Sequence, residues 1–82
     1  MDGVEPLLAI ATATDPVRVR VRRISEEMQK DESLMSALRR VGALPDKTIT
    51  VVTTAEGVLV GSGGETAEIV PEAAEHIFVR KL

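Results

Sequence analysis

Apolar and polar residues alternate without interruption in Val17-Arg18-Val19-Arg20-Val21-Arg22. A period of two places the valines on one face of the chain and the arginines on the other, as in a β-strand with one buried face. The segment is therefore predicted to be a strand whose arginine row points away from the core.

The pattern changes to a helical one after residue 30. Apolar residues now recur at intervals of three and four, at Leu34, Leu38 and Val41 with Met35 beside them. Asp31 precedes the stripe as a capping residue, whereas Gly42 and Pro45 follow it as stop signals. These features predict one α-helix between Asp31 and Gly42.

Downstream of the helix the chain consists of short β-rich runs separated by turn residues. The runs cover residues 48–54, 57–60, 66–70 and 76–80. Pro71 favours a single helical turn before the last run. Upstream, Leu7–Ile10 is predicted to be a first short strand, and residues 1–6 are predicted to be a linker or disordered N-terminal segment, which leaves residues 7–82 as the domain.

These elements predict a mainly β fold. So few strands in so short a chain bury an apolar face best when the sheet curls on itself. The expected architecture is a small, partly open barrel of about five short antiparallel strands, with one α-helix and short helical turns.

Composition narrows the function classes. The chain has 82 residues, with 10 Lys and Arg against 13 Asp and Glu, and its net charge of −3 argues against direct binding of nucleic acid. It has no cysteine, which suits an ordinary cytoplasmic protein, and no apolar run long enough for a membrane span, so we expect it to be soluble. Phe78 is the only aromatic residue, which disfavours a groove for proline-rich peptides.

Glu26 and Gln29 form the most suggestive pair of polar residues. They are three apart, so one helical turn from Ser25 to Gln29 would bring their oxygens to the same side. Carboxylate and amide oxygens suit Mn²⁺ or Fe²⁺, but two ligands require others from elsewhere. The alternative is that Ser25 caps the turn while Glu26 and Glu27 complement the helix dipole.

The other candidate residues give weaker signals. The arginine row can meet an acidic partner or phosphate, or it is simply the solvated side of a strand. His76 is the only histidine, so alone it forms neither a zinc site nor a nucleophile–base pair. The glycines of residues 61–64 fit a hairpin turn rather than a phosphate-binding loop. Since no catalytic constellation is present, we expect no enzymatic activity.

Several segments, taken together, resemble the C-terminal SH3-like domain of the diphtheria toxin repressor family of iron- and manganese-dependent transcriptional repressors. The segments are residues 17–23, Ser25–Gln29, Leu34–Leu38, Val41–Pro45 and Val70–His76. In that family the third domain, which is an SH3-like barrel also found in FeoA-type proteins, supplies a Glu and a Gln to an ancillary metal site. The resemblance places these ligands at Glu26 and Gln29. It implies that the metal is Fe²⁺ or Mn²⁺ and that ligands outside this chain complete its coordination.

The resemblance also implies a mechanism and partners. Metal that bridges the barrel to the dimerisation and metal-binding domain of the same repressor would favour the DNA-binding arrangement. The family's barrel can also hold a proline-rich linker of its own chain. Two alternatives stay open: a free-standing accessory protein of ferrous iron transport of the FeoA type, and a purely structural interaction module.

Overall fold

The computed structural model describes residues 4–62 and 64–82. The elements in chain order are β1 (Val4–Pro6), α1 (Leu7–Ile10), β2 (Val17–Ile24), α2 (Glu26–Gln29), α3 (Glu32–Arg40), β3 (Thr48–Thr54), β4 (Gly57–Ser62), β5 (Glu65–Ile69), α4 (Pro71–Ala74) and β6 (Ile77–Lys81). Among the described residues no helix is long and apolar enough to cross a membrane.

The strands form one antiparallel sheet in the order β1-β6-β2-β3-β4-β5. The predicted mainly β fold is confirmed, and the sheet remains unclosed, with β1 and β5 at its two ends. It contains six strands rather than about five because residues 4–6 pair with β6.

Strand β2 has the predicted two-faced character. Val19 and Val21 are fully buried, whereas the neighbouring arginines are exposed. Simple alternation beyond Val21 would bury Arg23 and expose Ile24. A register shift between Val21 and Arg23 prevents this, because the extra residue of a β-bulge moves Ile24 onto the core face opposite Ile77.

Helix α3 closes one side of the core. Its N-cap is Asp31, whose Oδ1 accepts a hydrogen bond from the Leu34 N–H at 3.0 Å, as the sequence predicts. Leu38 is fully buried and Val41 nearly so, whereas Leu34 is only half-buried. The helix therefore contributes one large, fully buried side chain to a core made mostly of strand residues, with Leu7 of α1 and the alanines of α4 also buried.

The prediction of a strand at Leu7–Ile10 is wrong, since this segment is the helical turn α1. The Ala11 N–H donates to the Leu7 carbonyl at 3.1 Å, and the Leu7 side chain is fully buried. A run of four apolar residues fits a buried helical turn as well as a strand, so periodicity cannot separate them.

The predicted linker, residues 1–6, is described only in part. Residues 1–3 lie outside the described residues, whereas residues 4–6 form β1. The division into a linker at 1–6 and a domain at 7–82 stays a prediction. Of the predicted turn at 61–64, Gly61 and Ser62 are instead the last residues of β4, where they pair with β5, and Gly64 directly precedes β5. Gly63 also lies outside the described residues.

Candidate metal-binding turn

The turn that carries Glu26 and Gln29 is α2, which lies between β2 and α3. Ser25 is its N-cap, and the Ser25 hydroxyl accepts a hydrogen bond from the Met28 N–H at 3.4 Å. The Ser25 N–H donates to the carbonyl of His76 at 2.9 Å, which ties the start of the turn to the residue before β6. The turn is thus closed by its own cap, and a backbone hydrogen bond connects its first residue to the segment before β6.

Glu26 and Gln29 are both exposed and lie three residues apart on this one turn. The Gln29 Nε2 donates to the Ile24 carbonyl at 2.7 Å. Because a carbonyl oxygen only accepts, the amide nitrogen must face Ile24, and Gln29 Oε1 is the atom left for another partner. This bond therefore determines which end of the amide is available as an oxygen ligand.

The capping role and the ligand role do not compete for the same atoms. Ser25 supplies the capping oxygen, while Glu26 and Glu27 occupy the first turn, where carboxylates complement the helix dipole. The Glu26 carboxylate can do this and still present its oxygens to solvent. The predicted cap is therefore present, and it leaves the ligand hypothesis open.

The residues present fit part of an oxygen-rich site. Carboxylate and amide oxygens suit hard or borderline divalent ions, which take roughly six ligands. Within residues 4–62 and 64–82 no group of three or more His, Cys, Asp and Glu side chains is placed to hold a metal ion. Glu26 and Gln29 would therefore need ligands from outside this part of the chain.

The arginines of β2 differ in the residues that surround them. Arg18 lies opposite Thr50 on β3, and Arg20 lies opposite both Thr48 and Arg80. Arg23 places its guanidinium 4.6 Å from the centre of the Phe78 ring, a cation–π contact that covers the only aromatic side chain. His76 is half-buried, and its carbonyl serves the Ser25 bond described above.

One feature of the surface was not predicted from the sequence. A cleft of about 360 Å³ opens beside β3, β4 and β5, with Pro16, Thr50, Val52, Leu59 and Thr66 among its lining residues. These residues are far apart in the chain, and none of them carries a recognisable motif, so only the sheet order brings them together.

Known proteins are similar to this chain over most of its length. The iron-dependent repressor IdeR of Mycobacterium tuberculosis and that of Mycobacterium bovis are each 35% identical over 72 residues, which is 85% of this chain and 31% of the repressor. IdeR of Mycobacterium leprae is 32% identical over 69 residues, or 82% of this chain and 30% of that protein. The chain thus spans less than a third of these curated relatives, matching their C-terminal region.

A solved structure agrees with the fold. The crystal structure of an iron uptake regulatory protein, FeoA, superposes with a TM-score of 0.68 at 26% identity, and the match covers 96% of this chain and 97% of that one. The resemblance to the C-terminal domain of iron-dependent repressors is confirmed by these matches. Since the FeoA domain profile also matches residues 9–81, the chain belongs to the FeoA domain family.

Proposed function

We propose that the chain acts as the C-terminal regulatory domain of a metal-dependent transcriptional repressor. The observation that carries the proposal is the 35% identity to IdeR over 85% of this chain but only 31% of the repressor. In this role the domain is cytoplasmic and non-catalytic, and it contacts neither DNA nor a membrane itself. Its partner is the dimerisation and metal-binding domain of the same polypeptide, together with the proline-rich linker.

Glu26 and Gln29 are the proposed metal ligands of this domain. Gln29 contributes Oε1, because its Nε2 is held by the Ile24 carbonyl at 2.7 Å, and Glu26 contributes a carboxylate oxygen from the same side of α2. Fe²⁺ or Mn²⁺ bound there would supply coordination bonds between this domain and ligands outside the chain.

The position of the turn explains how these two residues would act on the rest of the repressor. The Ser25 N–H bond to His76 fixes α2 against the sheet, so a constraint on Glu26 and Gln29 orients the whole domain. Ligation that is possible in only one domain arrangement favours that arrangement by the difference in binding free energy. In this way the chain would bias the repressor toward its DNA-binding form.

The test uses a full-length repressor that carries this domain, and it compares the metal response of variants with single substitutions in α2. We expect Glu26→Ala and Gln29→Ala each to raise the Fe²⁺ or Mn²⁺ concentration needed for half-maximal DNA binding by about tenfold or more, as losses near metal sites typically do. Glu27→Ala is the matched control, since it removes an exposed acid from the same turn. Unchanged metal activation in both ligand variants would rule out the ligand role.

A second candidate function is that of a free-standing accessory protein of the FeoA type. It is favoured by the match that covers 96% of this chain and 97% of the solved FeoA chain. The two candidates differ in the size of the native polypeptide, which an immunoblot of source cells measures. A band larger by one or two domains of roughly 100 residues each supports the repressor, whereas a band at 8.8 kDa without a larger form supports the accessory protein.

A further inference from the structure

The unpredicted cleft lies on the outer face of the sheet, away from the core. In β3 and β4 the alternate residues Val51, Val58 and Val60 are buried, whereas Val52 and Leu59 point to the other side and remain half-buried. Pro16 and Thr50 form another part of the lining. The outer face therefore carries an apolar depression of about 360 Å³ that the fold itself leaves uncovered.

Gly61 keeps this depression open. It lies opposite Thr66 in the β4–β5 ladder, and a Cβ atom at position 61 would come within 3.0 Å of the Thr66 Cγ2. Both residues line the cleft, so a larger side chain at position 61 would occupy it.

Positively charged side chains lie on the same face of the sheet, on the β2 side of the cleft. Arg18 lies opposite the lining residue Thr50, and Arg20, two residues further along β2, lies opposite Arg80. Two like charges directly opposite each other in a sheet are destabilising. Strands β2, β3 and β6 contain no acidic residue. Strand β5 contributes Glu65 to the cleft lining and places Glu68 opposite Leu59, but β5 lies at the end of the sheet away from β2 and its arginines. The one ion pair found among the described residues, Arg40 with Glu65, involves none of these three arginines.

We propose that this face binds an extended acidic peptide with an apolar side chain in the cleft. The binding surface, named here the arginine-edged cleft, consists of Arg18, Arg20, Arg80, Pro16, Thr50, Val52, Leu59, Gly61 and Thr66. Its proposed occupant is a peptide segment of a partner protein with one apolar residue followed by carboxylates at alternate positions. The proposal goes beyond the metal-dependent function, because it uses no residue of α2.

The spacing of the arginines supports an extended peptide. Residues two apart on a strand are separated by about 6.6–6.8 Å, which is also the spacing of alternate side chains in an extended ligand. Carboxylates at alternate positions of a peptide running alongside β2 would therefore match Arg18 and Arg20 one to one. The cleft volume lies near the lower end of the roughly 300–1,000 Å³ of known ligand pockets, enough for one large apolar side chain.

Nucleic acid and proline-rich peptides fit this face less well. Both are normally bound through exposed aromatic rings, and the chain has one Phe and no Tyr or Trp; the ring of Phe78 lies beneath the Arg23 guanidinium. The overall negative charge also opposes a long phosphate backbone. A short acidic peptide carries fewer charges than a nucleic acid, so the local positive charge of Arg18, Arg20 and Arg80 is enough to attract it.

The experiment is a titration of the ¹⁵N-labelled 82-residue chain, followed by amide chemical shifts. The probe is a synthetic glycine–serine peptide with one leucine followed by two glutamates at alternate positions. Comparison peptides replace both glutamates by glutamine or the leucine by serine, and a neutral proline-rich peptide and a thymidine oligonucleotide complete the set. We expect the probe to shift the amides of Thr50, Leu59 and Thr66, and its affinity to fall as salt is raised.

Substitutions test whether the arginines of β2 bind the carboxylates of the probe. Arg18→Gln with Arg20→Gln should weaken probe binding by about two- to fivefold for each lost charge pair, whereas the matched pair Lys30→Gln with Arg39→Gln should leave it unchanged. The proposal is overturned if the probe produces no shifts at the cleft, if both double variants lose affinity equally, or if the neutral peptide or the oligonucleotide binds as well. Glu26→Ala should keep full probe binding, so failure here and failure of the metal-ligand proposal are separate results.

Discussion

The substitution Gly57→Ala tests how closely β5 packs against the start of β4. Gly57 has φ +157°, a conformation that side chains rarely adopt. A Cβ atom there would collide with the Ile69 carbonyl oxygen and lie 3.1 Å from the Ile69 carbonyl carbon and 3.3 Å from the Val70 Cα. These are backbone atoms, which cannot rotate away, so β5 or the β3–β4 turn must shift.

The expected cost follows from two terms. A residue held in a rarely populated conformation costs about 1–3 kcal/mol, and displacing packed atoms costs about another 1–3 kcal/mol. The free energy of unfolding should therefore fall by about 2–6 kcal/mol, against a total of roughly 4–12 kcal/mol for a domain of this size. Gly42→Ala is the matched control. It has φ +74° and its added Cβ would meet only the Ser62 Oγ at 4.0 Å, so it should cost only about 1–2 kcal/mol.

Urea unfolding followed by far-UV circular dichroism measures both values, since the chain has no Trp or Tyr for fluorescence. Both variants add one Cβ atom at a positive φ, so a larger loss for Gly57→Ala reports the collision with β5 together with the difference in strain between φ +157° and φ +74°. Equal midpoints for the two variants would refute the close approach of Gly57 to Ile69.

Three further predictions concern the helix and its neighbours, and the same urea unfolding measures each of them. Leu38→Ala should lower the free energy of unfolding by about 2–5 kcal/mol because Leu38 is fully buried. Leu34 is only half-buried, so Leu34→Ala should cause a smaller loss, and equal losses would contradict the packing described. Asp31→Ala should cost about 1 kcal/mol through loss of the cap, and Asp31→Asn should recover most of it, whereas no recovery would assign the effect to charge. Arg40→Gln should change stability by less than about 0.5 kcal/mol, because the Arg40 and Glu65 side chains are 58% and 61% exposed; a large loss would show a stronger ion pair than the geometry implies.

The parts of the fold that could be predicted are those in which one face is buried. The buried valines of β2 recur every two residues, and the apolar residues of α3, which include buried Leu38, recur every three to four. Both elements were therefore predicted close to their observed bounds. The segment Leu7–Ile10 is too short and too uniformly apolar to carry such a period. The bulge in β2 did leave a signal, since Arg22 and Arg23 are two consecutive polar residues that interrupt the alternation.

Long-range pairing accounts for what the sequence did not reveal. The pairing of residues 4–6 with β6 joins opposite ends of the described chain, and the lining of the cleft comes from three strands, Gly64 and the residue before β2. Neither arrangement follows from local periodicity. The pair Glu26 and Gln29, by contrast, is local, so its place on one turn could be predicted, although the Gln29 bond to the Ile24 carbonyl could not.

The position of this pair makes its function open to a clean test. Glu26 and Gln29 are exposed and contribute nothing to the core, while the turn itself is held by the Ser25 cap and the Ser25 N–H bond to His76. Glu26→Ala removes an exposed carboxylate and its small favourable interaction with the helix dipole, and Gln29→Ala removes one hydrogen bond to a carbonyl, which costs about 1 kcal/mol. Both variants should therefore keep the fold, and a loss of metal response by either would report on ligation rather than on unfolding.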